Sequence, residues 1–245
     1  MNENKKAYFI AKKDMGAYYL KPPLISWGLM LPVAFALAFY LRNPAGIKDV
    51  TPGLIGMTLL FSSTSMAAIV ITFEKRIGAL ERLLLAPLHT RTILFGKALG
   101  SALFGLLITF LIAVAIVAAV GLSIKNVIAF ISVIILSALA FSCLGILISV
   151  GVKEVFEAMT LSNFFRFPMI FLCGVFLPIS SMPFPLPIVS YLLPLTYTVD
   201  GLRHCLSTGG TVAPFWTDLL ILSAFVFLIF SLSLLMFKKR IRQEF

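Results

Sequence analysis

The sequence predicts an all-α membrane protein with six transmembrane helices. Three observations predict it. Apolar residues make up 60% of the 245 residues and charged residues only 12%. Six apolar runs have membrane-spanning length, and the basic residues fall mostly on one side of them. A soluble domain averages roughly 45–50% apolar and about 25% charged residues. A soluble enzyme, a soluble binding module and a disordered chain are therefore excluded.

The six runs are 24–41, 51–73, 98–120, 126–150, 155–177 and 218–237. About 20 helical residues, rising 1.5 Å each, cross a ~30 Å hydrocarbon layer. Lipid offers no partner to an open backbone group, and the alternation of a barrel strand is absent, so each run is expected to be helical. The first run contains Pro32; the fifth carries Glu157, Arg166 and Pro168.

Six spans put both termini on one side. That side holds 15 Lys and Arg: in the N-terminal segment, in 74–97, in 151–154 and in the tail. The other side holds four, Arg42, Lys48, Lys125 and Arg203, and Arg166 lies within a span. Cytoplasmic loops carry the basic excess, so both termini are expected in the cytoplasm. The formal charge of +10 is accounted for without nucleic acid. Residues 1–21 hold five Lys and no apolar core, unlike a secretory signal.

The connectors are unequal. Residues 121–125 and 151–154 are tight turns, whereas 74–97 and 178–217 are long enough to carry function. In the N-terminal segment, 1–23, Tyr8, Ala11, Met15 and Tyr18 make a helical stripe with Lys5, Lys12 and Lys13 largely off it. This suits a helix lying in the headgroup plane, turned into the first span by Pro22 and Pro23; the bland alternative is a basic tail.

In 74–97, Ile77, Leu80 and Leu84 form a second stripe. Glu74 and Glu81 lie one heptad apart, as do Lys75 and Arg82, and Pro87 breaks the pattern. The reading is a short amphipathic cytoplasmic helix, set against a plain solvated connector. In 178–217, prolines at 178, 183, 185, 187 and 194 forbid a long helix. A short helix is expected over about 195–206, with Asp200 and Arg203 spaced i, i+3. Its apolar, broken character fits either a re-entrant segment packed on protein or an ordinary outer cap.

Arg166 lies 11 residues into the fifth span. It either lines a polar route or snorkels to the interface. Glu157 is nine residues away on the opposite helix face and is a poor partner for it. The three cysteines, Cys143, Cys173 and Cys205, show no pairing or metal-ligand spacing and read as small buried apolar side chains. No G-x-x-x-x-G-K-[ST] loop, HExxH or Ser/His/Asp set is present, and His89 and His204 fall on opposite sides of the membrane. The chain shows no catalytic residues, no metal ligands and no ATP site of its own.

Three separated motifs then carry a resemblance. Glu74-Lys75-Arg76-Ile77-Gly78-Ala79-Leu80-Glu81-Arg82-Leu83-Leu84, with Ala86-Pro87-Leu88 and Gly96-Lys97, resembles the cytoplasmic loop of ABC-2-type transporter permeases. Residues 174–183, GVFLPISSMP, resemble the end of that family's fifth span. Leu193-Pro194-Leu195-Thr196-Tyr197 with Val199-Asp200-Gly201-Leu202-Arg203 resembles its outer segment. The resemblance covers nearly the whole chain, which reads as one transmembrane domain, 1–245. It departs at Arg76 and Ala79, where the family often has Glu and Thr.

The resemblance implies a membrane subunit of an ABC exporter for a drug, lipid or glycolipid. It sits in the plasma or inner membrane and works with a second permease subunit, as a homodimer or heterodimer, and with a separate cytosolic ATPase that holds ATP and magnesium. Glu74, Lys75, Arg76, Gly78, Leu80, Glu81, Leu84 and Pro87 are implied to couple to the ATPase. Arg166, Pro194, Tyr197, Asp200 and Arg203 are implied to line the path or its outer gate. The competing readings are a gradient-driven transporter, for which only Arg166 is a buried ionisable candidate, a membrane enzyme, and a non-transporting assembly subunit.

Overall fold

Ten α-helices follow one another, with no strand among the described residues of this computed structural model. The structure describes residues 3–20, 22–43, 46–206, 208 and 211–244. Lys21, and the side chains of Pro22, Pro23 and Arg242, lie outside these; the backbone at Pro22 begins a helix. The order is α1 (Glu3–Asp14), a π-helical turn (Met15–Tyr19), α2 (Pro22–Arg42), α3 (Ile47–Arg76), α4 (Ala79–Leu85) and α5 (Thr90–Val120). Then come α6 (Val127–Gly151), α7 (Val155–Leu172), a 3-10 turn (Ile179–Ser181), α8 (Leu186–Tyr191), α9 (Pro194–Leu206) and α10 (Phe215–Glu244).

Four of these, α3, α5, α6 and α10, are long and apolar enough to cross a membrane. The 30 residues of α3 span about 45 Å at 1.5 Å per residue. Helix α3 is the axis of the bundle, packed by α2, α5, α6, α7 and α9. Its polar residues stay inside the helix: the Thr51, Thr58, Ser62 and Thr72 hydroxyls each donate to the carbonyl four residues earlier, at 2.7–2.8 Å. A hydroxyl so engaged can be buried at low cost.

Small residues let α3 meet its neighbours closely. A Cβ at Gly145 of α6 would sit 2.5 Å from the Thr64 carbonyl oxygen and 2.7 Å from the Ala67 Cβ. The glycines of Gly96-x-x-x-Gly100, legible in the sequence as a close-packing motif, face α1 and the π turn: Gly96 meets Ala7 and Ile10, and Gly100 meets Ala11 and Tyr19.

The helices depart from the expected runs in several places: α3 extends past both ends of 51–73, α5 begins at Thr90 rather than 98, and α10 runs on to Glu244 rather than 237. Helix α7 stops at Leu172, five residues before the expected end, because the chain turns at Gly174 with φ of 75°, a conformation glycine adopts without strain. Also, α1 buries Ala7, Ile10, Ala11 and Asp14. The expected stripe was out of register: Tyr8 is exposed, and Ile10 with Asp14 takes the inner face. The chain's two anionic-looking interruptions near α7 are surface features, since Glu154 and Glu157 form a reciprocal capping box at its N-terminus. The C-terminal carbonyls of α6 are served by basic side chains, Lys75 donating to the Ser149 oxygen at 2.7 Å and Arg240 to the Val150 oxygen.

Gly145→Ala is expected to destabilise the fold by about 1–3 kcal/mol, since backbone must move to admit the methyl group. Gly151→Ala, where a Cβ meets nothing within 4 Å, is the control. Thermal unfolding in detergent should show a lowered midpoint for the first variant and none for the second.

Candidate functional site

The α4 end of the bundle carries the loop singled out by sequence. Helix α3 ends at Arg76, and Gly78 at φ of 67° starts α4. That break changes the expected geometry. Glu74 and Glu81 do not share a face: Glu74 is fully buried, and Glu81 and Arg82 are exposed. Of the predicted stripe, Leu80 is 3% exposed and Leu84 half-buried, whereas Ile77 lies in the turn and is exposed. Leu80 belongs to one apolar cluster with Ile10 of α1, Ile71 of α3 and Ile93, Leu94 of α5. So α4 is fastened by its apolar side and offers a charged one. Arg76 reaches Glu154 at 3.9 Å on the surface, a pair of small energetic weight. Pro87 is exposed in the bend before α5.

Beneath α4 lies a buried ionic cluster. Lys97 of α5 has no exposed surface; its Nζ meets Asp14 Oδ2 at 2.7 Å and Glu74 Oε2 in a shorter contact. Lys13 closes the ring, at 2.7 Å from Glu74 Oε1 and 3.1 Å from Asp14 Oδ1. The four formal charges cancel. Burial pushes the Asp14 carboxyl above the usual carboxylate range, opposed by Lys97. Tyr19 is buried beside it, against Phe104 at 5.8 Å between ring centres. The cluster joins α1, α3 and α5, whose contributing residues lie up to 84 positions apart. Lys13, Asp14 and Tyr19 were not found by sequence reasoning, because charge complementarity over such separations leaves no local pattern. Glu74, assigned to ATPase coupling by the resemblance, faces inward here.

A second feature lies between α2, α3 and α7. Arg166 is 4% exposed and lines a cavity of about 340 Å³ with Phe61, Met66, Ser162 and Asn163. Its guanidinium carbon stands 5.1 Å from the centre of the Phe61 ring, and Nη1 donates to Asn163 Oδ1 at 3.4 Å. Among the described residues, Nε and Nη2 have no hydrogen-bond partner, nor has the Ser162 hydroxyl one turn earlier. A membrane-buried Arg costs at least ~2.5 kcal/mol, which a stacked ring offsets only in part. Arg166 is thus held inside the protein, beside the Phe61 ring, rather than at the bundle surface.

At the opposite end from α4, α8 and α9 form a compact cap. The Asp200 carboxylate accepts from the Val212 and Ala213 amides at 2.7–2.9 Å, tying α9 to the start of α10. Arg203 donates to the Gly174 oxygen at 2.6 Å, which holds the turn after α7. The Tyr197 hydroxyl donates to the Tyr191 oxygen at 2.7 Å, and Pro194 opens α9. These four predicted residues therefore come together in one cap, and Arg166 does not join them. Asp218 is fully buried near His204, at 3.9 Å.

Long apolar helices, an amphipathic connector and a pinned terminal helix define a multi-pass membrane protein. The chain belongs to the ABC-2 type transporter family, whose profile matches residues 7–206. It is 26% identical over 158 positions to the inner membrane transport permease YadH of Escherichia coli K12, covering 64% of this chain and 62% of that one. It is 28% identical over 249 positions to the putative transport permease ycf38 of Cyanophora paradoxa, covering 92% and 85%. The probable multidrug ABC transporter permease YbhS of Escherichia coli K12 is 26% identical over 208 positions, covering 82% and 55%. The chain thus spans less than two thirds of the length of YadH and YbhS.

Lys97→Met leaves two buried carboxylates against the one ammonium of half-exposed Lys13, and is expected to cost about 3 kcal/mol. Adding Glu74→Gln restores neutrality and should recover much of that loss. Asp14→Asn should cost less than Lys97→Met. Since the fold raises the Asp14 pKa, folding favours its protonated form and its ionisation opposes stability as pH rises. Chemical unfolding of the purified variants measures all three.

Proposed function

We propose that this chain is the permease subunit of an ATP-binding cassette exporter. It carries no ATP site; a separate cytosolic ATPase binds ATP and magnesium and drives it. Two permease subunits, identical or not, surround one route for an amphiphilic substrate across the plasma or inner membrane. On this reading α2, α3, α5, α6, α7 and α10 are the six spans, α8 and α9 are re-entrant on the outer side, and both termini are cytoplasmic. The distribution of Lys and Arg supports that orientation.

The observation that carries the proposal is the two-faced fastening of α4. Leu80 anchors it to α1, α3 and α5, and Glu81 and Arg82 remain exposed for a partner. Lys75, Arg76, Gly78, Leu84 and Pro87 shape this helix and its two connections. The ionic cluster ties α1 to the neighbouring ends of α3 and α5, the apolar cluster around Leu80 adds α4, and these move as one unit. ATPase closure shifts this unit, the spans rearrange around the Arg166 cavity, and the cap built on Pro194, Tyr197, Asp200 and Arg203 opens. A gradient-driven transporter needs paired intramembrane ionisable groups; Arg166 has no acidic partner among the described residues.

The test is purification from the native membrane in mild detergent, with co-purifying proteins identified and vanadate-sensitive hydrolysis assayed. A soluble ATPase at about one copy per permease is expected. Glu81→Lys should leave the permease folded and at least weaken that association or uncouple hydrolysis from transport. A permease that purifies alone, or unchanged coupling in the variant, would count against the proposal.

A further inference from the structure

We infer that the cavity between α2, α3 and α7 is a binding site for an anionic amphiphile, with Arg166 holding its headgroup. The inference rests on the permease reading only for calling that ligand a substrate; the site itself stands on geometry. Nε and Nη2 are the two donors along one edge of a guanidinium, and that edge grips a carboxylate, sulfate or phosphate with two parallel hydrogen bonds. In Arg166 it is this edge that is buried and without a partner, while Nη1 is taken by Asn163.

The Ser162 hydroxyl, four residues earlier and so on the same helix face, is also buried and unpartnered. Both side chains line the same cavity, and no Asp or Glu is among its lining residues. Three donors with no internal acceptor need an outside one. The guanidinium carbon lies over the Phe61 ring at 5.1 Å, a cation–π contact that occupies none of its N–H donors. Apart from Ser62 and Ser65, the rest of the lining, which includes Met66, Ile69, Met159 and Phe167, is apolar and suits an acyl or aromatic body. A zwitterionic or cationic headgroup would bring a positive charge next to an unneutralised one.

The chemistry has two sources, a lipid resident in the bilayer or a transported cargo, and one experiment separates them. The probe is dodecyl phosphate with a photoreactive diazirine in its chain, used on the purified full-length chain in phosphatidylcholine nanodiscs. Neither ATPase nor nucleotide is present, so failure here leaves the permease reading untouched, and absence of an ATPase partner leaves this site untouched. Labelling should fall on peptides containing Phe61, Met66, Met159 or Phe167. Dodecyl phosphate should compete about tenfold better than dodecylphosphocholine, the size of one charge-assisted hydrogen bond. Arg166→Gln should abolish that preference, and Arg166→Lys should keep part of it. Ser162→Ala, a smaller change in the fold, should weaken it.

An apolar groove between α5 and α6, lined by Phe110, Val114, Ile131 and Ile135, gives an internal check: its labelling should be the same in the variants as in the unaltered protein if they remain folded. If phosphatidylglycerol in the disc competes, the occupant is a bilayer lipid; if it does not, the occupant is a cargo distinct from bulk lipid. Equal competition by the two headgroups in the unaltered protein, or a preference that survives in Arg166→Gln, overturns the proposal.

Discussion

A lysine with no surface exposure needs its charge answered on the spot, and Lys97 is answered by Asp14 and Glu74. The base of the molecule depends on that requirement. Removing water from the ring costs several kcal/mol per ion, and the cost is offset only while every member keeps its partner. The ring therefore tolerates no half-measure: α1 stays docked on α3 and α5, or two carboxylates and an ammonium face apolar surroundings. The glycines at 96 and 100 serve the same docking by bringing the α1 backbone against α5. A helix that would otherwise lie free at a surface is thereby made part of the bundle.

Many buried polar groups hold the fold by finding partners. The Thr58 and Ser62 hydroxyls of α3 bond within their own helix, Ser137 meets Thr198 across α6 and α9 at 2.8 Å, and Asp200 caps two amides. Others, such as Ser63, Thr64, Thr109 and Asp218, keep atoms without a hydrogen-bond partner among the described residues. Arg166 belongs with these and is the one whose unpartnered edge carries a guanidinium charge into a largely apolar cavity. Buried polar groups left open where packing is otherwise complete are where function is expected.

How much was legible follows from the range of each interaction. Helix α6 matches its apolar run to within a residue at each end, because span length and composition are local, whereas α5 begins eight residues before 98 and α10 runs seven past 237, where charged residues continue the helix outside the apolar stretch. The short helix after Pro194 and the break at Gly78 were also within reach, since prolines and glycines act on their own turn. The face of α1 was not. Tyr8 and Ala11 look like one stripe, yet Ile10 and Asp14 are the buried positions, and only the partner at Lys97 explains an inward Asp. Arg166 was visible as an anomaly of position, but its open edge is a matter of which neighbours fail to reach it. The Asp200–Arg203 spacing suggested an intrahelical pair; instead each reaches for backbone in another segment, at 212–213 and at Gly174.

The central claim is that the ionic cluster, together with the apolar packing of Leu80, makes α1 and α4 one mechanical unit. Pulsed electron–electron resonance between spin labels at Tyr8→Cys and Leu85→Cys, both exposed positions, measures it directly. The labels are placed in the ATPase-bound complex, with the three native cysteines replaced, and read with and without a non-hydrolysable ATP analogue. The account predicts an unchanged distance distribution between the two sites, while the same labels move relative to the cap at Phe184→Cys. A change of about one helical turn, ~5 Å, between Tyr8 and Leu85 on nucleotide binding would contradict it.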